Sequence, residues 1–365
     1  MLEMQLFDDT RKMPDAAQVG MIDRVRFHSI QARGTEHYRF LHGVIVAKHQ
    51  GALYACWACN TGEENSQTEV VCGCCSHDDG KTWSDSRLWL QGGENEGVSH
   101  GAFLSTQSAL WGFFPHFTGI RENVRTYLWQ MQPDGTWNKL CRITDEPFWP
   151  LGEPQRMENG NYLMPGVYVG GPWGSTENPP AVAVSQKDDL TKWRVIRIPK
   201  AKEVVMWGEC GVLIHKNRVC CISRNWHTDP VARAAVSEDF GETWTLAERT
   251  NLPMADSKPA LGTLENGRRY LVCTTLANNG ALRYPLTVAA GSGDAAVFQE
   301  VKCIRRHDAA RDPALEHGRR LLLSYPYTTQ ADGKLYVTYS VGIVGSSIDN
   351  YNNAAELAAI DTEQI

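Results

Sequence analysis

The eight-residue pattern Ser-x-Asp-x-Gly-x-Thr-Trp occurs twice in this chain, as Ser76–Trp83 and again as Ser237–Trp244. Five fixed residue types at fixed spacing suit a tight hairpin. The Ser and Asp side chains can hydrogen-bond the turn's own backbone, and the Gly can take a positive φ. The Trp can pack the turn onto the strands below it.

Degenerate copies continue the series. Asp134-Gly135-Thr136-Trp137 keeps the second half, and Ser185, Asp188, Thr191 and Trp193 keep the outline with one residue inserted. Gly293-Asp294 leads to Phe298 where a Trp would stand. The landmarks fall at 83, 137, 193, 244 and 298, at intervals of 54, 56, 51 and 54 residues, and one more step lands near Tyr351. Fixed-period self-similarity is the mark of a repeat fold. Each interval holds short β-rich runs opened by turn signals, such as Asn159-Gly160 before Tyr162-Leu163-Met164 and Asn266-Gly267 before Tyr270-Leu271-Val272. A unit of about 50 residues with four strands is a propeller blade. The chain is therefore expected to be all-β, a six-bladed β-propeller with four antiparallel strands per blade, forming one domain over residues 1–365. The first blade is expected to borrow a strand from the other terminus. A helix-period segment appears only at Asn353-Ala354-Ala355-Glu356-Leu357.

Composition excludes several classes of function. A net charge of −6 gives no basic footprint for nucleic acid or an anionic membrane. A mean hydropathy of −0.37 without a long apolar run argues against a transmembrane helix. The N-terminus lacks a basic region followed by an apolar one, so a cytoplasmic protein is expected. Eleven cysteines then read as reduced buried thiols. Cys56-Trp57-Ala58-Cys59 with Cys72-Gly73-Cys74-Cys75 could form a metal site, but structural zinc usually draws its ligands from loops. No metal and no cofactor is expected.

A propeller places its pocket on the axis, so candidates should stand at the start of each repeat's first strand. The first repeat offers His42, and Glu64 before the following strand. The second offers His100 and, within an aromatic run, His116. The third offers Glu153 and Arg156, the fourth Glu209 and Arg224, the fifth Lys258 and Arg283, and the last Tyr325 or Tyr327. Each has a plainer reading as core packing, a solvated loop or an ordinary ion pair. Arg suits carboxylate binding because its planar fork binds bidentately.

The repeated box resembles the Asp-box, or BNR repeat, of sialidases and related propellers, where it lies on the outer rim away from the pocket. Two segments extend the likeness: Trp207-Gly208-Glu209-Cys210-Gly211-Val212, then a strand ending Ser223-Arg224-Asn225. The resemblance implies that Glu209 activates a nucleophile, that Tyr325 or Tyr327 is that nucleophile, and that Arg224 belongs to a carboxylate clamp. Where sialidases carry an Arg-Ile-Pro segment, this chain has Tyr38-Arg39-Phe40-Leu41-His42. The clamp's first Arg is missing or shifted to Arg39. A pocket His there is similar to propeller enzymes acting on rhamnose linked to glucuronate.

These readings imply an acidic oligosaccharide as substrate, cleaved at a terminal glycosidic bond. In β-elimination at a uronate, which His42, His100 and His116 favour, a neutral His removes the C5 proton. In hydrolysis a Tyr activated by Glu209 attacks the anomeric carbon. A glycan-binding propeller without catalysis is the third reading. Arg224 is expected to bind the acidic group, with Arg156, Arg283, Lys258, Glu153 and Glu64 around it.

Overall fold

A computed structural model describes residues 4–32, 38, 40–62, 64–171, 178–226, 228–293, 296–312, 315, 320–344 and 354–365. Arg39, Glu63, Asp294 and the landmark near Tyr351 lie outside the described residues.

Six separate antiparallel sheets follow one another along the chain. The first blade runs outward through Phe40–His49, Ala52–Asn60, Val70–Ser76 and Arg87–Leu90. The fourth runs Met206–His215, Arg218–Asn225, Val231–Ser237 and Glu248–Pro253, and the fifth Ala260–Thr263, Arg269–Cys273, Leu286–Gly291 and Glu300–Arg305. In the second and third blades the innermost strand is broken in two, as Gly97–Val98 with Ala102–Ser105 and as Phe148–Pro150 with Gln155–Arg156. The protein is a six-bladed β-propeller. Its only helical turn among the described residues is a short 3-10 turn, Thr362–Gln364.

Ring closure differs from the sequence expectation. The last blade, not the first, is completed from the far terminus. Leu321–Ala331, Lys334–Ile343 and Ala354–Asp361 take Arg26–Gln31 as their outer strand. Arg26 pairs with Ala359 and their neighbours follow antiparallel. The helix-period segment Ala354-Ala355-Glu356-Leu357 is thus a strand, because pairing on both sides overrides local propensity. Before reaching that blade, the N-terminal segment runs along the outer edges of the fourth and fifth. It bridges Met4 to Thr250, Phe7 to Phe298 and Met21 to Cys303. The Asn251 carboxamide accepts from the backbone of Leu6 and Phe7 and donates to the Phe7 carbonyl.

The core lies between blades rather than within any one of them. Leu53, Trp57 and Cys72 of the first blade pack with Tyr336, Leu357 and Ala359 of the last. Leu163 and Val182 of the third pack with Val212, Val219 and Cys221 of the fourth. The cysteines belong to this filling: Cys56, Cys72, Cys74, Cys210, Cys220, Cys221 and Cys303 are all buried. Among the described residues no three His, Cys, Asp or Glu side chains gather as a metal-binding group would.

The two full boxes have matching geometry. In the second, the Ser237 hydroxyl donates to Asp239 (2.7 Å) and accepts from the Gly241 N–H (2.8 Å). Asp239 also accepts from the backbone (2.9 Å) and hydroxyl (2.6 Å) of Thr243. The Trp244 indole donates back to the Gly241 carbonyl (2.9 Å). Gly241 has φ +84°, and a Cβ there would lie 2.7 Å from Leu163 of the neighbouring blade. The box therefore turns the chain and presses it onto the preceding blade. In the degenerate copy of the third blade, Asp189 rather than Asp188 caps Thr191. Asp188 instead pairs with Arg156.

Candidate active site

The innermost strands break their ladders near one end of the axis. In the first blade the register shifts between His42 and Ile45, in the fourth between Met206 and Cys210, and in the last between Ser324 and Tyr327. The gaps between the split strands of the second and third blades hold His100 and Leu151. A bulge re-aims the side chains it carries. Here the bulges carry His42, Glu209 and Tyr325, and these converge.

At the centre, the Tyr325 phenol donates to the Glu209 carboxylate in a short hydrogen bond. Arg224 joins the pair: Nη1 lies 2.7 Å from Glu209 and 3.0 Å from the Tyr325 oxygen. Its Nε donates to Asp256 at 2.5 Å. Arg283 flanks the cluster, donating to the Asp256 carbonyl (2.8 Å) and the Ser324 hydroxyl (3.2 Å), with its guanidinium 5.6 Å from the Tyr325 ring centre. The His42 ring packs on Tyr325 with centroids 4.0 Å apart. His42 Nδ1 meets Ser340 Oγ at 3.1 Å, and Nε2 lies 3.9 Å from Glu64. Gly43 makes the approach of His100 possible, since a Cβ there would fall 2.1 Å from the His100 ring.

Glu64, Asn65, His100, Arg121, Trp149, Leu151, Val167, Glu209 and Tyr325 line a shared cavity of about 20 Å³. That volume holds roughly one water. A sugar ring can enter only if lining side chains move, and Glu64, one-third exposed, stands at its edge.

The electrostatics divide the titratable groups into two kinds. Burial pushes the Tyr325 phenol well above its ordinary range, so it is protonated at neutral pH. Burial also opposes ionisation of Glu209, but Arg224, Tyr325 and Arg121 outweigh it and hold that carboxyl below its ordinary value. The result is a phenol already hydrogen-bonded to an ionised carboxylate. Glu64 goes the other way, raised by burial against the pull of Arg283. Two carboxyls with opposed shifts in one pocket is the pattern of a base and an acid. His42 is lowered well below its ordinary value by burial and by nearby His100 and Arg283, and His100 to about 3 by burial, so both are neutral.

The structure gathers His42, Glu64, His100, Glu209, Arg224, Arg283 and Tyr325 at this centre. It does not bring four other candidates there. His116 sits inside the second blade, 3.0 Å from Glu96, stacked on Trp129 and edge-on to Tyr127. It stands on the second strand of its blade, enclosed by these side chains rather than at the axial cluster. Arg156 is exposed and pairs with Asp188 at 3.1 Å. Glu153 and Lys258 line a separate cavity of about 420 Å³ at the opposite end of the axis. Tyr327 is held by His100, its oxygen 3.0 Å from Nδ1, leaving Tyr325 as the phenol facing Glu209.

Arg121 was missing from the sequence candidates. It leaves the hairpin turn of the second blade at φ +59° and sets its guanidinium 5.3 Å from the rings of both Trp149 and Trp207. A turn arginine reads as solvated surface, and nothing local signals two tryptophans from other blades around it. Trp207, two residues before Glu209, was the nearest available clue.

The BNR repeat-like domain family matches residues 51–337. A search of curated protein sequences finds no match. Among solved structures, a Hadza microbial sialidase, Hz136, superposes with a TM-score of 0.69 at 14% identity, covering 93% of this chain and 69% of that one. A protein of unknown function from Dyadobacter fermentans gives 0.67 at 15%, covering 93% and 100%. The Trypanosoma rangeli sialidase in complex with 2,3-difluorosialic acid, described as a covalent intermediate, gives 0.64 at 13%, covering 97% and 59%. At such identities the likeness is one of fold. The repeated boxes, the six-blade ring and the extent of the family match together establish that this chain belongs to the BNR repeat-like domain family.

Proposed function

We propose that this protein is a glycoside hydrolase that releases a terminal acidic sugar through a covalent intermediate on Tyr325. The observation that carries this reading is the Tyr325–Glu209–Arg224 cluster on the axis. In the first step the Tyr325 oxygen attacks the anomeric carbon and its proton passes to Glu209. The glycosidic bond breaks as protonated Glu64 donates to the departing oxygen. In the second step Glu64, now a carboxylate, takes a proton from water, which attacks the anomeric carbon. Tyr325 leaves and recovers its proton from Glu209. Atoms and charge balance, and configuration is retained after two displacements.

A phenol suits an acidic substrate. A carboxylate nucleophile would repel the sugar's own charge, whereas Tyr325 stays neutral until the base takes its proton. Arg121 lines the cavity, Arg224 meets the Tyr325 oxygen and Arg283 flanks its ring, and together they supply positive potential for that charge. The sialidase likeness agrees with an anionic sugar at fold level.

β-Elimination at a uronate is the second reading. Neutral His42, packed on Tyr325, is the observation that favours it. The experiment is to screen 4-methylumbelliferyl sialoside and glucuronide with acidic oligosaccharides, following products by mass spectrometry. Hydrolysis yields a free sugar carrying the elements of water, and 2,3-difluorosialic acid or a fluorinated uronosyl analogue should label Tyr325. An unsaturated uronate absorbing in the ultraviolet, lost in His42→Ala and kept in Tyr325→Phe, would replace hydrolysis by elimination. Binding without any product would leave the glycan-binding reading.

A further inference from the structure

Tyr325 holds an unusual backbone position. Its φ is +52°, a left-handed region that strains a non-glycine residue and persists only where its surroundings impose it. The ladder between Leu321–Ala331 and Lys334–Ile343 is interrupted there, with Ser324 paired to Ser340 and Tyr327 to Thr338. Tyr325 and Pro326 lie between those pairs, and Pro326 has no N–H to donate. The strand beside them therefore does not hold them in place.

The fifth blade does. Just before its first strand, Ser257 and Lys258 reach the adjoining last blade, both almost fully buried. The Tyr325 N–H donates to the Ser257 hydroxyl at 3.3 Å. Lys258 Nζ donates to the Pro326 carbonyl at 2.7 Å and to its neighbour Pro259 at 3.3 Å. The same nitrogen lies 3.7 Å from the centre of the Tyr327 ring, whose hydroxyl meets His100. The two side chains thus grip the bulge before and after the Tyr325 carbonyl carbon. Lys258 also lines the cavity of about 420 Å³ that Glu153 shares, rather than the small cavity lined by Glu209 and Tyr325.

We infer that Ser257 and Lys258 are positioning residues for Tyr325: together they hold the bulge in its left-handed turn and so keep the phenol on Glu209. A buried lysine amine here serves the fold of the nucleophile rather than the substrate. That explains a lysine at a blade opening that takes no place in the pocket. The functional consequence rests on the reading of Tyr325 as nucleophile. The structural consequence does not.

The test uses Lys258→Met, which keeps the length of the side chain but removes its donors, and Ser257→Ala. Crystal structures of both variants are compared with wild type, and kcat and KM are measured on whichever umbelliferyl glycoside the wild type cleaves. The expected result is a Tyr325 that relaxes out of positive φ and parts from Glu209. kcat should fall roughly 100-fold, the usual cost of misplacing a reacting group by about an ångström, with KM unchanged. A purely structural role would lower the melting temperature and leave kcat per folded molecule intact, which overturns the inference. So does a Tyr325 that stays in place in both variants. If Lys258→Met does not fold, Ser257→Ala decides. If the wild type cleaves no glycoside, the proposed function fails, and the position of Tyr325 alone judges the inference.

Discussion

The box turns on the rim and the cluster on the axis are both carboxylates satisfied by hydroxyls and nitrogens, yet they are built at opposite ranges. Asp239 finds all its described partners between Ser237 and Thr243. Glu209 is bonded to Arg224 fifteen residues away and to Tyr325, which is 116 residues away in another blade. His42 meets Ser340 across 298 residues. A local network can be copied from blade to blade and serves every blade equally. A network assembled from different blades exists once, at the axis, and can be asymmetric enough for chemistry.

Removing the centre of the axial network should have the largest effect. Tyr325→Phe is expected to lower kcat by about 10³-fold or more while the protein stays folded, as loss of a nucleophile does. Activity near wild type would place the chemistry elsewhere. Arg224→Lys comes next, because a lysine cannot bridge Glu209, Asp256 and the Tyr325 oxygen at once. Roughly a 100-fold loss of kcat/KM is expected, and a neutral analogue of the substrate should lose less than the acidic one. Equal losses on both would show that Arg224 orders Glu209 and nothing more.

The pH profile sharpens the contrast between the two axial carboxyls. Glu209 must be ionised, and its folded-state value lies below the ordinary 4.5, so activity should fall only in strong acid. Glu64 must be protonated, and its value is raised, so the alkaline limb should lie above 4.5. Glu64→Gln should abolish the alkaline limb and slow substrates with poor leaving groups most. A limb that survives in Glu64→Gln assigns the acid to another group.

The rim should respond differently and least. Asp239→Ala removes several bonds to an exposed turn, at a cost of about 2 kcal/mol, and should lower the melting temperature by a few degrees without changing turnover per folded molecule. The Asp239 carboxyl is held at about 2 by Thr243, so its contribution is complete above an ordinary aspartate's range and vanishes as pH falls through about 2. A selective loss of turnover in this variant would erase the distinction between rim and axis.

The same distinction explains what the sequence could convey. The boxes, their period and the six blades were legible because Asp, Gly and Trp act within one turn. Glu209 and Arg224 were legible as a segment and a strand end. The three bulges that aim His42, Glu209 and Tyr325 at one point leave no local mark, and neither does the Trp149–Arg121–Trp207 sandwich. For the same reason Lys258 read as an anion binder when it lies beneath the bulge, and His116 read as axial when Glu96 and Trp129 enclose it. The segment Ala354-Ala355-Glu356-Leu357 has a helical period but forms a strand, because pairing on both sides decides it.

The outer strand of the last blade has a consequence in time as well as in space. Arg26 is ion-paired to Asp361, 335 residues further along. On the ribosome, Arg26–Gln31 emerges long before the edge it will cover exists. Blades one to five can collapse in order as they appear, but the ring stays open until Ala354–Asp361 has emerged. Until then Ala354–Asp361 would present a bare edge, the kind of surface on which chains join one another. The N-terminal segment, already seated along the fourth and fifth blades, delivers the missing strand to that edge from a short distance. Closing the loop from there forgoes most of the entropy that a free end would lose.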